Sequence, residues 1–149
     1  MKNLNPDWIA RALIVAMFAV SILWWPSAPA QIPTHWDSTG RINGYGSKFV
    51  VLMLMPLVAL SAYAFLGLVA AMRSEQFVGR EKIGWSWLGC ACVTLLAGWF
   101  GGIIANAHGA NLNMIYVVYP LAALVWIAMG NLQRQFKVAK TTPPGGIRT

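Results

Sequence analysis

Apolar residues along this chain gather into four long runs separated by short polar stretches. The runs cover about Trp8–Trp25, Phe49–Met72, Ile83–Ala107 and Leu112–Leu132. Each is long enough, as a helix, to cross a hydrocarbon layer of about 30 Å, which takes roughly 17–25 residues. The second run contains no charge, and Arg11 lies close enough to the end of the first to extend its head toward water. Lipid offers the backbone no hydrogen-bonding partner, so these runs must be helices. The pattern therefore predicts an all-α fold. It is a four-transmembrane-helix bundle made of two hairpins, forming one membrane domain over 1–149. A structured outer loop at 26–48 joins the first two helices, and a cytoplasmic tail occupies 133–149. The first run also mimics a secretory signal, with Lys2 before it and Ala28-Pro29-Ala30 before Gln31. It is read here as a retained span.

Composition supports lipid as the solvent. The 149 residues are 58% hydrophobic and only 10% charged, against about 25% charged in an ordinary soluble domain. The net charge of +7 raises the question of nucleic acid. The basic residues border the apolar runs instead of lining a polar face, so nucleic acid is not an expected partner. Their distribution sets an orientation. Nine of the eleven Lys and Arg residues fall on one side of four crossings, and only Arg41 and Lys48 on the other. By the positive-inside rule both termini are cytoplasmic and the 26–48 loop faces outward. Trp8, Trp85 and Trp87 then fall at the inner boundary, and Trp24, Trp25 and Trp36 at the outer one.

Two features inside the runs invite closer reading. Gly98-Trp99-Phe100-Gly101-Gly102 is a small-residue pattern that lets helices approach closely, either within the bundle or as a homo-oligomer seam. Met55-Pro56-Leu57-Val58-Ala59-Leu60 resembles Tyr119-Pro120-Leu121-Ala122-Ala123-Leu124, so Pro56 and Pro120 are candidate kinks in a two-hairpin repeat. Matched interruptions can mark a transport site. Yet no Asp, Glu, Lys or His lies near mid-membrane, which counts against ion-coupled transport.

The outer loop holds the most informative polar residues. Asp37-Ser38-Thr39-Gly40 can close one turn, and Asn43-Gly44 suits a type I′ turn. Pro26, Pro29 and Pro33 stiffen its first part. Ile32-Pro33-Thr34-His35-Trp36, then Gly40 and Gly44-Tyr45-Gly46-Ser47-Lys48 leading into a proline-bearing helix, resembles the N-terminal domain of unknown function in SdpI-type bacterial membrane proteins. Gly130-Asn131 and Gly146-Ile147-Arg148-Thr149 resemble later elements of that family. There, Pro-Trp and further membrane helices usually follow. Here Thr141-Thr142-Pro143-Pro144 stands in place of the family's linking sequence, which fits a short relative or a chain lacking the later half. The resemblance implies a role in immunity and signalling: protection from a secreted killing peptide, and its report to a cytoplasmic repressor.

On this reading the residues expected to recognise a ligand or partner are His35, Trp36, Asp37, Arg41, Tyr45, Lys48 and His108. His35, Asp37 and His108 are weighed as a small metal or pH-sensitive site against a plainer alternative. In the latter, Asp37 caps a turn and His35 bonds within the loop. Two histidines without a further carboxylate or thiolate make a poor zinc set, so no metal is expected. Asn106, Asn111 and Asn113 either complete an outer polar site or satisfy helix ends. Cys90 and Cys92 point about 200° apart on a helix and imply no disulfide. No nucleophile–base pair, phosphate loop or metalloprotease motif is present, so neither enzymatic activity nor a cofactor is expected. The expected partners are the lipid bilayer, a secreted peptide toxin or a membrane-protein partner. The alternatives are an accessory subunit of a larger membrane complex or a passive transporter.

Overall fold

The computed structural model describes residues 5–72 and 80–141, with the side chains of 80–82 and 137–141 left out of that description. Lys2, Arg73 and the Gly146-Ile147-Arg148-Thr149 element lie outside the described residues, as do the side chains of Arg80, Lys82, Lys137 and Lys140. Four helices make up the body: α1 (Pro6–Trp24), α2 (Met55–Met72), α3 (Arg80–Ala107) and α4 (Met114–Thr141). All four are long and apolar enough to cross a membrane, over Pro6–Trp24, Val50–Met72, Ile83–Ala107 and Met114–Phe136.

Local chemistry sets the helix ends. The Asn5 side chain accepts from Asp7 N–H at 3.0 Å, and Pro6 occupies the first helical position, where its missing N–H costs nothing. Asn113 Oδ1 accepts from Ile115 N–H at 3.0 Å, which starts α4 at Met114 instead of at Leu112. The helix then runs on to Thr141, so the segment read as a tail from 133 begins as a continuation of α4.

α3 is the hub, packing against α4 most extensively and then against α2 and α1. A side chain on Gly98 would collide with Leu121, and one on Gly102 would come within 2.6 Å of Met114 Sδ. The Gly98–Gly102 pair therefore lets α4 lie close against α3, while Gly101 faces open space. The packed interior includes Ile14, Met17, Leu52, Val93 and Ile103. Around it the bundle exposes large apolar side chains, among them Leu23 (80%), Tyr116 (79%) and Trp126 (73%). A soluble monomer rarely displays such a surface; surrounding hydrocarbon removes its cost.

The two prolines differ in setting. Pro56 is fully buried and stands just after a π-helical turn, Val50–Leu54, that leads into α2. Proline supplies no N–H to the carbonyl four residues earlier, and the widened turn accommodates that loss. Pro120 lies inside α4 on an exposed face.

The four-helix bundle is as expected, and the structured 26–48 loop adds one small element to it, an antiparallel hairpin of β1 (Gln31–Trp36) with β2 (Ile42–Ser47). The pairing runs from Gln31 with Ser47 to Trp36 with Ile42, with irregularities around His35. Of the two expected turns, Asp37–Gly40 is present and closes the hairpin, whereas Asn43-Gly44 is not a turn and lies in β2. Asp37 explains this: its Oδ1 accepts from Thr39 N–H (2.8 Å), Thr39 Oγ1 (2.7 Å) and Arg41 N–H (3.0 Å). Gly40 follows at φ +82°, a left-handed conformation that a side chain would strain.

Candidate functional site

The hairpin is held over one end of the bundle at three places. At its base, Lys48 Nζ donates to the Trp25 carbonyl at 3.3 Å and sits 5.1 Å from the Trp25 ring centroid. A cation at the carbonyl end of α1 opposes the negative pole of the helix dipole, and the indole face adds a cation–π attraction. At its tip, Gly40 lies so near the Asn113 side chain that a Cβ there would sit 2.5 Å from Asn113 Cγ. Between these, Ile32 is fully buried beneath β1.

A separate contact ties the α3 end to α1. The His108 ring lies 4.8 Å from that of Trp24, with Nδ1 2.9 Å from the Ile104 carbonyl. Asn106 Nδ2 donates to the Gly102 and Leu112 carbonyls, closing the α3–α4 turn, while Asn111 adopts a positive φ of 50°. Asn106 and Asn113 thus satisfy helix ends and the turn between them.

Under the hairpin runs a groove of about 200 Å³. One wall is Thr34, His35, Trp36 and Asp37; the other is Trp99 of α3 with Met114, Ile115, Val118 and Tyr119 of α4. Three of the sequence-predicted residues, His35, Trp36 and Asp37, therefore converge here. The others do not. Arg41 follows the turn and gives its N–H to Asp37. Tyr45 stands on the exposed side of β2, Lys48 caps α1, and His108 packs on Trp24. Among the described residues no three His, Cys, Asp or Glu side chains come together as a metal-binding group, so His35, Asp37 and His108 are not assembled into one. The Asp37 carboxyl is held below its ordinary range, chiefly by the Thr39 hydroxyl and then by the Arg41 N–H. It is an anion at neutral pH on the groove's edge.

The second wall was not anticipated from the sequence. Tyr116 and Tyr119, three apart in the first turns of α4, had the signature of an aromatic belt. Trp99 was hidden within the glycine pattern. Also unanticipated is a polar cluster at the opposite end of the bundle. Asp7 accepts from Tyr63 Oη and Ser86 Oγ, both at 3.1 Å, and Arg11 Nε donates to Tyr63 Oη at 3.4 Å. It links α1 to both α2 and α3.

The fold and site define an apolar four-helix protein of membrane-spanning type, capped at one end by a β-hairpin. Residues 12–60 match the family model described as a domain of unknown function (DUF1648). That stretch takes in most of α1, the whole hairpin, the π-helical turn and the start of α2. No curated protein and no solved structure matches the chain.

Proposed function

We propose that this protein is a non-enzymatic component of the bacterial cytoplasmic membrane, similar to SdpI-type immunity and signalling proteins. Its hairpin faces outward, both ends lie in the cytoplasm, and it recognises a secreted peptide or envelope partner. One observation carries the reading: the groove between hairpin and helices joins His35, Trp36 and Asp37 to Trp99 and Tyr119. Aromatic rings beside a carboxylate and an imidazole offer a peptide both apolar contact and hydrogen bonds, as recognition surfaces commonly do. The positive-inside distribution of Lys and Arg supports the orientation.

The test is a toxin-sensitivity assay paired with a binding assay on the full chain in membranes. His35→Ala, Trp36→Ala and Tyr119→Ala should lower protection and binding while membrane insertion stays normal. Wild-type behaviour of all three in both assays refutes the proposal.

A second reading, an accessory subunit of a larger membrane complex, draws on α4. Only 6% of its span is buried, and Tyr116, Tyr119 and Trp126 stand on its surface. Purification in mild detergent as a lone monomer, with nothing bound, would count against it.

A further inference from the structure

Away from the hairpin, α1 and α4 hardly meet, and a cavity of about 370 Å³ opens along α3 and α4. Its wall is almost wholly apolar: Trp87 and Cys90 from α3, Leu124 and Ile127 from α4, with Ala91 and Ala128 between them. The Thr94 hydroxyl, also on this wall, donates back to the Cys90 carbonyl at 2.8 Å, so it asks little of a guest. Asn131 closes the polar end. One turn further, Arg134 continues the stripe Ile127–Asn131–Arg134 on α4 and is exposed.

We propose that this cavity holds one acyl chain of an anionic phospholipid, with the phosphate at Asn131 and Arg134. Three observations fix that occupant. First, a void of this size on a membrane-spanning surface is filled by hydrocarbon, since an unfilled apolar wall forfeits its dispersion contacts. Second, the distance along α4 from Arg134 to Leu124 is about 15 Å at 1.5 Å per residue, half of a hydrocarbon core of about 30 Å. The cavity wall on α4 takes up about 10 Å of that length, from Leu124 to Asn131, and Arg134 lies one turn beyond its mouth, so cavity and guanidinium together span about one leaflet. Third, the groups at that level are a guanidinium and a carboxamide, both donors to phosphate oxygens, with no carboxylate on the cavity wall among the described residues. Trp87, at the same end of the cavity, is a ring type that favours the interface. The choice of the cytoplasmic leaflet rests on the orientation proposed above; the binding itself does not.

Native mass spectrometry of the full chain in detergent, titrated with phosphatidylglycerol or phosphatidylcholine, tests this independently of orientation. The wild type should retain one phosphatidylglycerol in preference to phosphatidylcholine. Arg134→Gln should keep a bound lipid but cut that preference roughly fivefold, the factor one basic residue supplies near an anionic surface. Ala128→Trp, which fills the cavity, and Leu124→Trp, at its exposed lip, should each lower retention of either lipid at least about tenfold. Ile22→Trp, on the exposed surface of α1, should leave retention unchanged, and circular dichroism verifies helix content in every variant. If Ala128→Trp misfolds, Leu124→Trp decides alone. Equal retention of the two lipids by the wild type overturns the proposal, as does retention by the Trp variants at the Ile22→Trp level.

Discussion

Gly40 offers the sharpest test of how the hairpin is seated. Its φ of +82° costs an ordinary L residue about 1–2 kcal/mol. Gly109 has nearly the same φ, +86°, so alanine there carries the same conformational cost. The surroundings differ. A Cβ at Gly109 meets nothing within 4 Å, whereas one at Gly40 would lie 2.5 Å from Asn113 Cγ and Nδ2. To make room, the Asn113 side chain must swing away from Ile115 N–H, and losing an N-cap of this kind costs about 0.5–2 kcal/mol. Gly40→Ala should therefore destabilise the protein by about 1.5–4 kcal/mol, and Gly109→Ala by about 1–2 kcal/mol. The excess should vanish in an Asn113→Ala background, where the cap is already gone. Denaturation in mixed micelles, followed by tryptophan fluorescence and helical ellipticity, measures all four variants. Equal losses for the two glycines, with no coupling between Gly40 and Asn113, would refute the proposed seating of the tip.

Other consequences follow from the same contacts. Lys48→Ala removes both the cation at the α1 carbonyl end and the Trp25 ring contact, so stability should fall by about 1–2 kcal/mol, with partial recovery in Lys48→Arg. Asp7→Ala leaves the Tyr63 and Ser86 hydroxyls without this acceptor. At about 0.6 kcal/mol for a typical hydrogen bond within a membrane, the loss should be about 1–2 kcal/mol, seen as weaker resistance to denaturing detergent. The Asp37 carboxyl is lowered in the folded hairpin, so its contribution is fully present above the ordinary carboxylate pKa. It disappears as pH falls through the depressed value. Fluorescence of a reporter at the hairpin tip should therefore stay constant from neutral to weakly acid pH and change only in stronger acid, while Asp37→Asn should abolish that transition.

The helices were legible because crossing a membrane imposes a single requirement, a long apolar run, and Phe49–Met72 or Ile83–Ala107 meets it without competition from other patterns. Their ends were read less well where one side chain decided them. Asn113 as a cap moved the start of α4, and lipid-facing residues carry no mark separating them from those packed on α3. The hairpin escaped prediction for a different reason. Asn43-Gly44 has the stronger local preference for a two-residue turn, but Asp37 satisfies three donors at once and its turn lies against Asn113. A tertiary contact thus selected between two acceptable turns. Half of the groove was visible, since His35, Trp36 and Asp37 are adjacent in the chain. Trp99 and Tyr119 were not, because only the folding of α3 and α4 beneath the hairpin brings them there.

The proposed role requires above all a bundle that spans the membrane with its hairpin outside. Cysteine placed at the exposed tip residue Ser38, in a chain whose native Cys90 and Cys92 are replaced by alanine, puts that claim directly to a membrane-impermeant maleimide. Labelling in intact cells, with a reporter fused after Thr149 active in the cytoplasm, is the predicted result. Labelling that appears only after the cells are broken open would contradict it.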